Sequence, residues 1–483
     1  MNRPAVVVVG DVVLDADVEG TVERLAPDAP VPVLDVAATR ESPGGAGLAA
    51  LLCAAAGARV TLVAPVAEDE WGDRLATLLT EHVELVRLGH DGATRRKTRL
   101  RSQNQSLVRV DDGGPGTPQH VPVAAVEKAL AAADVVLVSD YGAGVTRDPA
   151  LRTLLTAAAR GPRLVWDPHP RGGAPVPGAT LVTPNLAEAR TAAGQDTEPP
   201  DVLAATLVRR WDAGAVCVTV GAAGAFLARP GGEATFVPAV PVTGGDPCGA
   251  GDQFAASAAA ALARGALVPE AVQAAVADAT AWVGAGGADG FRTRGRSRPA
   301  AVVGDAAPPL GAAGGDLERL ADRLRADGGT LVATGGCFDI VHAGHVATLQ
   351  AARRLGDRLV VLMNSDASVA RLKGPGRPVV TAADRARVLE AFDCVDAVVV
   401  FDEDDPSAVL ERLRPDVWAK GGDYGGAPLP EAEVVRAHGG RVVLLPYLGG
   451  RSTTSIIERT GAAVPATARP DESTVPPADG RTA

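Results

Sequence analysis

The chain has 483 residues, of which 46% are hydrophobic and 22% charged, and its formal net charge is −11 at pH 7. A chain of this length is too long to fold around one hydrophobic core, so two or three domains are expected. The acidic balance argues against non-specific nucleic-acid binding, and no apolar run reaches the roughly 18 residues of a membrane span. Five scattered cysteines form no CxxC pair, and the N-terminus does not resemble a signal peptide, so we expect a cytoplasmic protein without disulfides or structural zinc.

The first predicted elements are a buried strand and a small exposed sheet. Residues 5–9 are a β-branched run typical of a parallel strand that is covered on both faces. Residues 11–36 alternate polar and apolar side chains and contain three prolines, which favours an exposed sheet, and residues 98–110 are expected to return to it. Between them, a glycine-rich turn at 43–47 opens a helix, and a strand follows at 59–66.

From residue 121 to about 283, short strands alternate with helices, which predicts a doubly wound α/β sheet. Residues 284–315 are rich in Gly, Pro, Ala and Arg without a clear period, and a helix at 316–327 leads into a second βα series. The predicted strands are 135–139, 164–167, 180–183 and 215–220, then 331–334, 359–363, 397–401, 417–419 and 442–446. We predict a first domain at 1–300, a linker at 301–318, a smaller Rossmann-like α/β domain at 319–461 and a disordered tail at 462–483.

The strongest candidate site in the first domain is the string Gly249-Ala250-Gly251-Asp252, which is followed by an alanine-rich helix. A glycine-rich turn at a helix N-terminus presents backbone N–H groups and a positive dipole end, and both suit a phosphate. Asp252 could then take a proton from an attacking hydroxyl. The same stretch can also be a plain turn with Asp252 as the helix cap, so other parts of the chain must decide.

Three further strings favour the phosphate-binding interpretation. Gly44 and Gly45 lie at a predicted helix start. Asn185 and Glu188 follow a strand end at i, i+3 spacing, so both could face one metal-bound phosphate, although an Asn here is more often a cap. A further strand runs into a glycine turn suited to a nucleotide, with Thr219, Gly221 and Gly224.

With these strings, residues 5–300 resemble the ribokinase-like (phosphofructokinase B) carbohydrate kinases. The resemblance implies a Rossmann-like sheet with a small β-lid, Asp252 as general base, the amides of residues 249–251 as an anion hole, and Mg²⁺ held indirectly through Glu188. The strings at 10–15, 29–33, 104–109, 139–141 and 183–186 are most similar to the kinase half of the bifunctional heptose enzymes of bacteria. The sugar-binding residues that this resemblance implies are Asp11, Asp15, Gly44, Gly45 and Arg109.

Four positions depart from the family pattern. Leu48 replaces an Asn, Ala143 and His169 replace lysines, and Cys248 replaces a Thr. These departures leave open a second hypothesis, in which the first half only binds a sugar phosphate or dimerises.

The candidate site of the second domain is the string from Thr334 to His345, in which a predicted strand leads into a helix. His342 and His345 are spaced i, i+3, so we expect both on one helical face, where they could donate to charge that develops on an α-phosphorus. Gly344 would let a phosphate approach the backbone. Two ordinary surface histidines are the alternative, and a zinc pair would lack a third ligand.

Residues 330–460 resemble the cytidylyltransferase-like nucleotidyltransferases, which use Mg²⁺ and positioned charge. The nucleotide-binding residues that this resemblance implies are Gly336, Phe338, Asp339, Gly344, Asp366, Lys373, Lys420, Gly421, Asp423, Ser452, Thr453 and Thr454.

A kinase followed by a nucleotidyltransferase on one chain resembles the bifunctional heptose kinase/adenylyltransferase family. The resemblance implies ATP-dependent phosphorylation of heptose 7-phosphate at C1, then adenylyl transfer from ATP to heptose 1-phosphate, giving ADP-heptose and pyrophosphate. It also implies a homodimer formed through the kinase lid. The rival interpretation is a related sugar- or polyol-phosphate nucleotidyltransferase, which could use CTP, fused to a non-catalytic kinase domain.

Overall fold

The structure is a computed structural model that describes residues 3–102, 105–114, 118–161, 163–293, 317–326, 328–374, 376–422 and 429–446. Contacts divide the chain into two compact units. Within the described residues, the first unit holds 3–293 together with 414–446, and the second holds 317–413. The domain boundaries drawn from the sequence stay a prediction. The tail at 462–483 and most of the linker lie outside the described residues.

The first unit is built on a long, mostly parallel sheet. Its central strand, β1, alternates its side chains between two cores: Val6 and Val8 pack into one, and Val7 and Val9 into the other. A strand that is buried on both faces must lie inside a helix–sheet–helix sandwich, as its β-branched sequence predicts. In chain order the strands are β1 (Ala5–Gly10), β2 (Val12–Leu25), β3 (Pro32–Gly45), β4 (Arg59–Pro65), β5 (Glu84–His90), β6 (Arg96–Ser102), β7 (Gln105–Asp112), β8 (Pro118–Gln119), β9 (Val135–Ser139), β10 (Arg163–Asp167), β11 (Leu181–Val182), β12 (Val216–Thr219), β13 (Gly224–Ala228) and β14 (Ala234–Pro238).

The strand order across this sheet is β8-β5-β4-β1-β9-β10-β11-β12-β13-β14. In this spatial order, the seven neighbouring strands β5-β4-β1-β9-β10-β11-β12 run parallel. The strands β13 and β14 form an antiparallel hairpin that was not predicted from the sequence. The missed strands also include β5 and β8. The helices are α1 (Ala46–Ala55), α2 (Glu70–Thr80), α3 (Val123–Ala131), α4 (Pro149–Ala158), α5 (Leu186–Ala193), α6 (Pro200–Trp211), α7 (Ala250–Ala263), α8 (Val268–Gly284) and α9 (Gly287–Thr293).

A separate four-stranded sheet, in the order β3-β2-β6-β7, forms the predicted lid. The strands β2 and β3 are long and antiparallel, and β6 adds parallel to β2. Because side chains alternate along a strand, one face of this lid carries charged residues from neighbouring strands. On that face Asp17 of β2 lies opposite Arg99 of β6 in the strand register, and Arg99 lies opposite Arg109 of β7.

The second unit is a smaller α/β layer whose strands are parallel in the order β17-β16-β15. The five predicted strands of this half of the chain are all present, within a few residues of their predicted bounds. Two of them, β18 and β19, belong to the first unit, where β19 pairs parallel with β18 on one side and with β14 on the other. The elements are α10 (Leu317–Arg325), β15 (Leu331–Gly336), α11 (Ala343–Arg353), β16 (Arg358–Asn364), α12 (Asp366–Lys373), α13 (Ala382–Glu390), β17 (Ala397–Phe401) and α14 (Ser407–Leu413), then β18 (Val417–Gly421), α15 (Pro430–Ala437) and β19 (Arg441–Leu445).

One short helix forms in the stretch after residue 283 where the sequence shows no clear period. The helix α9 occupies Gly287–Thr293 and packs against α8 through the rings of Phe291 and Trp282, whose centroids are 5.4 Å apart. Among the helices within the described ranges, none combines the length and the apolar character that a bilayer-spanning segment needs.

Candidate active sites

The glycine turn before α7 is shaped for close approach of a ligand. Gly249 caps the helix at φ 77°, and a Cβ there would lie 3.1 Å from Leu48 Cδ2, so glycine is required at this position. The helical ladder begins with the bond from Gln253 N to Gly249 O, so the amides of Gly251 and Asp252 precede it. A Cβ on Gly251 would meet nothing within 4 Å. The turn therefore borders open space at a positive helix end.

Asp252 lies in the first turn of α7, and only 6% of its surface is exposed. Its carboxylate accepts hydrogen bonds from the Tyr141 hydroxyl, at 2.8 Å to Oδ1 and 2.7 Å to Oδ2. Burial raises the pKa of Asp252 to about 7, against the opposing effects of the Tyr141 hydrogen bond and the charge of Lys97. A carboxylate with a pKa near neutrality suits a general base.

One cavity brings together seven of the predicted residues. Asn185, Glu188 and Thr219 line it beside the turn of residues 249–252. All of these follow the carboxyl ends of parallel strands or begin the next helix, where open α/β sheets place their sites. The cavity also has lining residues that the sequence analysis did not single out as site residues: Asp140, Tyr141, Asp167, Pro168, His169, Thr183, Pro247 and Phe254.

Asn185 and Glu188 form a capping box at the start of α5. Asn185 Oδ1 accepts from Glu188 N at 3.0 Å, and Glu188 Oε2 accepts from Asn185 N at 2.9 Å. Asn185 is therefore the helix cap that its residue type favours, and both side chains also border the cavity. The carboxyl groups here are held in a poorly solvated cluster. Burial raises the pKa of Glu188, raises that of Asp140 to about 6, and together with the charge of Asp252 raises that of Asp167 well above its usual range.

A second, mainly apolar pocket adjoins the cavity, and both share Thr219, Ala250 and Gly251 in their walls. Gly221 and Gly224, which the sequence analysis predicts to bind nucleotide, line this pocket. An apolar slot next to an anion-binding turn fits a nucleotide base beside its phosphates. The remaining lining residues are Ala222, Ala239, Val240, Val242, Pro247, Phe254, Val276, Ala279, Thr280 and Val283.

The predicted sugar-binding residues are distributed over the lid and its base. Asp15 Oδ1 lies 3.2 Å from Arg99 Nη1, and Asp15 Oδ2 lies 3.3 Å from Arg292 Nη2, so this carboxylate is held by two guanidinium groups. Gly44 packs directly against it, because a Cβ there would lie 2.2 Å from Asp15 Oδ2. Arg109 is exposed and pairs with Asp111 at 2.8 Å.

Asp11 organises the loop after β9. Its Oδ2 accepts from the backbone N–H groups of Tyr141 (3.1 Å) and Ala143 (3.0 Å), and its Oδ1 accepts from Val145 N (3.3 Å). Gly45 caps α1 at φ 62°, and a Cβ there would lie 3.5 Å from Tyr141 Cδ2. The described contacts therefore give Asp11 a structural task, and its predicted contact with sugar stays a prediction.

The departures from the kinase pattern also have defined surroundings. Leu48 is buried in the core beneath Gly249. Ala143 is buried and donates its N–H to Asp11, and the His169 ring, which lines the cavity, accepts from Arg171 N at 3.1 Å. Burial, followed by the charge of Arg171, lowers the pKa of His169, so this ring does not replace a lysine's charge.

In the second unit, the two histidines stack at the start of α11. Their ring centroids are 3.9 Å apart, and the Phe338 ring lies 5.2 Å from His345. His342 is not on the helix as predicted: it is the N-cap, with φ −137°, and its Nδ1 accepts from Gly344 N at 3.1 Å. In a neutral His342 ring the proton is therefore on Nε2. Burial and the neighbouring His342 charge lower the pKa of His345 to about 4, against a hydrogen bond to the Ile340 backbone.

Two predicted carboxylates of this unit hold loops in place. Asp339 accepts from Arg377 and from the backbone N–H of Val379 at 2.6 Å, and these bonds, with burial opposing them, lower its pKa. Asp366 pairs at 2.7 Å with Arg385, a guanidinium that is only 1% exposed. No sequence pattern pointed to Arg385.

The other predicted nucleotide-binding residues lie at the ends of strands or helices, or fall outside the described residues. Gly336 ends β15, and Lys373 is an exposed residue at the end of α12. Lys420 and Gly421 end β18, and Lys420 Nζ pairs with Glu431 Oε1 at 2.6 Å. Four predicted residues, Asp423, Ser452, Thr453 and Thr454, lie outside the described residues.

Comparison with known proteins identifies the family of each half of the chain. Residues 3–293 match the pfkB family carbohydrate kinase model, and residues 333–442 match the cytidylyltransferase-like model. A curated relative from Streptomyces coelicolor, the bifunctional protein HldE, is 53% identical over 95% of this chain and 97% of its own length. Proteins of the same name from Azotobacter vinelandii and Halorhodospira halophila are 41% and 42% identical over 95% and 94% of this chain, and over 97% and 96% of their own lengths.

These matches cover both halves in the order that the sequence analysis predicts, so they confirm the ribokinase-like and nucleotidyltransferase fold classes and the two enzyme activities, kinase and nucleotidyltransferase. The chain belongs to the HldE family of bifunctional enzymes, in which a pfkB family carbohydrate kinase is joined to a cytidylyltransferase-like nucleotidyltransferase.

Proposed function

We propose that the chain carries out two separate steps of ADP-heptose synthesis. The kinase half phosphorylates heptose 7-phosphate at C1 with ATP. The transferase half joins heptose 1-phosphate to the AMP moiety of ATP and releases pyrophosphate. The HldE protein of Streptomyces coelicolor is 53% identical over 95% of this chain. This similarity supports the proposal over the alternative of a CTP-using transferase with a degenerate kinase half. Because the kinase product carries two phosphates and the transferase substrate one, a phosphatase must act between them.

The observation that carries the kinase half is the buried carboxylate of Asp252 at the glycine-turn end of α7, inside one cavity with Asn185 and Glu188. In the proposed reaction, Asp252 takes the proton from the C1 hydroxyl. The oxygen then attacks the γ-phosphorus, and ADP leaves. The glycine turn of residues 249–251 holds the transferring phosphoryl group through the Gly251 amide, since the Ala250 N–H already donates to Pro247 O at 3.0 Å, and the apolar pocket holds the adenine.

Mg²⁺ is the metal that this reaction implies. Among the described residues, no three His, Cys, Asp or Glu side chains are placed to hold a metal ion by themselves. Mg²⁺ keeps several waters and binds through one or two carboxylates together with substrate phosphates, and the Glu188 carboxylate borders the cavity beside the glycine turn. Glu188 is the proposed indirect partner, and bound Mg²⁺ would neutralise phosphate charge in both halves.

In the transferase half, the stacked imidazoles of His342 and His345 are the proposed donors to charge on the α-phosphate. The lowered pKa of His345 keeps its ring neutral at pH 7, so it acts as an N–H donor and not as a fixed cation. Lys373 is the proposed partner of the remaining phosphate charge, and the role of Lys420, which belongs to the first unit and pairs with Glu431, stays a prediction.

Two further proposals concern the whole protein. We expect a homodimer through the lid, whose second face leaves Val108 52% and Val110 45% exposed on β7. We also expect a cytoplasmic location, since both substrates are phosphorylated and five free cysteines suit a reducing compartment.

Two substitutions in the full chain, one in each half, test whether each half carries out its own reaction. Asp252→Asn should abolish ADP release from ATP plus heptose 7-phosphate and leave pyrophosphate release from ATP plus heptose 1-phosphate intact. His345→Ala should do the reverse. Loss of both activities in either folded variant, or of neither, would contradict the assignment.

A further inference from the structure

Tyr141 is an unassigned side chain at the centre of the kinase cavity. It is the second residue after the end of β9, and its backbone is fixed on both sides: the N–H donates to Asp11 Oδ2 at 3.1 Å, and the carbonyl accepts from Arg95 Nη1 at 3.5 Å. Because Asp11 is itself 1% exposed and also binds Ala143 N, the loop that carries Tyr141 is anchored to the buried core.

The hydroxyl of Tyr141 lies between the two oxygens of Asp252. The distances of 2.8 and 2.7 Å are both normal hydrogen-bond lengths, yet the hydroxyl has a single hydrogen to donate. The donor therefore binds one oxygen at a time and fixes the orientation of the whole carboxylate group. The other oxygen keeps lone pairs with which it can accept a proton from a substrate.

The surroundings keep this hydroxyl protonated. Burial, and then the charge of Asp252, raise the pKa of Tyr141 well above its ordinary value, so the group remains a donor at any working pH. The lid contributes Lys97, whose Nζ lies 5.4 Å from the centroid of the Tyr141 ring. A cation over the ring face holds the ring in place.

We propose that Tyr141 is a positioning residue for the kinase reaction: its hydroxyl orients the Asp252 carboxylate towards the acceptor hydroxyl of the sugar. This inference rests on the proposed role of Asp252 as general base. During turnover the acceptor O–H bond breaks, its proton goes to the free Asp252 oxygen, and the new O–P bond forms as the bond to ADP breaks. Tyr141 keeps its own proton throughout.

A different interpretation of the same geometry is that the Tyr141 hydroxyl occupies the place of the substrate hydroxyl and must leave before the sugar binds. The two interpretations differ in kinetics. A positioning group stabilises the transition state, so its loss lowers kcat and leaves KM unchanged. A competing group weakens substrate binding, so its loss lowers KM for the sugar and leaves kcat unchanged.

The test is Tyr141→Phe in the full chain, assayed for ADP release from ATP plus heptose 7-phosphate over a range of pH. On the plateau above pH 8, we expect kcat to fall about 10- to 100-fold at unchanged sugar KM, since a misplacement of about 1 Å can cost about 100-fold. The acidic limb should move to higher pH, because the lost hydrogen bond favoured the ionised carboxylate. Unchanged kcat, or a lower KM alone, would overturn the proposal.

Two controls separate this result from misfolding. Thr153→Val removes an exposed hydroxyl that donates to Pro149 O on α4, and both kinetic constants should stay at wild-type values. Pyrophosphate release by the transferase half of the same preparation reports that the chain is folded.

A measurement without substrate keeps the inference separate from the proposed function. Titration of the Asp252 carboxyl by ¹³C NMR, with Asp252→Asn identifying its signal, should give a higher pKa in Tyr141→Phe than in the wild type. Equal values would show that Tyr141 does not hold the carboxylate. If the wild type fails to turn over heptose 7-phosphate, the proposed substrate is wrong, and this titration still decides the role of Tyr141.

Discussion

Protonation of Asp252 should set the lower pH limit of the kinase reaction. Burial raises the pKa of this carboxyl to about 7, and only the ionised form can accept a proton. Activity is therefore present above pH 7 and is lost as the pH falls through that value. With a pKa near 7, about 91% of the carboxyl is ionised at pH 8 and about 9% at pH 6, so kcat/KM should fall about tenfold between them.

The assay is a pH profile of ADP release from ATP plus heptose 7-phosphate, with pyrophosphate release by the transferase half measured in parallel. Asp252→Asn should lower the kinase rate by about 100- to 10,000-fold at pH 8 and remove the acidic limb. The parallel reaction controls for general effects of pH, because burial and the His342 charge lower the pKa of His345 to about 4 and its ring stays neutral across this range. A kinase limb near pH 4, or an Asn variant within tenfold of wild type, would refute the reasoning.

Three other substitutions test the two sites and the fold that supports them. Gly251→Ala should fold normally, since its Cβ meets nothing within 4 Å. The added methyl group should block the approach of the phosphate and raise the KM for ATP in the kinase assay about tenfold. An unchanged KM would contradict the anion hole. His345→Ala should lower the transferase kcat by about 100- to 1,000-fold with the kinase unaffected, and a loss below tenfold would leave the imidazole without its proposed role. Arg385→Met should destabilise the second unit by about 3 to 5 kcal/mol in calorimetry because buried carbonyls at Asn364 (2.9 Å) and Val380 (3.0 Å) lose their donor. The matched variant Arg371→Met removes an exposed ion pair and should cost less than about 1 kcal/mol, and equal losses for the two would count against the buried network.

Hydrophobic patterning was enough to predict the central parallel strands of the main sheet. The strand Val135–Ser139 has the bounds expected from its β-branched run, because such runs are buried on both faces in parallel sheets, as all five of its residues are. The strand Ala397–Phe401 of the second unit also has its expected bounds, although Val400 is 46% exposed. The hairpin of β13 and β14 was missed because its first residue, Gly224 at φ 128°, was interpreted as part of a glycine turn. A glycine that starts a strand after a tight turn has the same local signal as one inside a loop.

The candidate sites were predictable to the extent that their residues are local in sequence. The string Gly249–Asp252 and the pair His342 and His345 are short motifs at helix starts, and the structure brings the members of each together. Arg385 could not be found in this way, because its partners are carbonyls and a carboxylate that are 5 to 48 residues away along the chain. Tyr141 had a usable signal, its position two residues after the end of a parallel strand, but its partner Asp252 is 111 residues away.

The measurement that tests the central claim most directly is ³¹P NMR of the full chain with defined substrates. With ATP and heptose 7-phosphate, we predict a new C1 phosphate signal together with ADP. With heptose 1-phosphate, we predict ADP-heptose and pyrophosphate from ATP, and no corresponding product from CTP. Absence of the C1 phosphate with a folded chain, or a product formed from CTP in preference to ATP, would contradict the account.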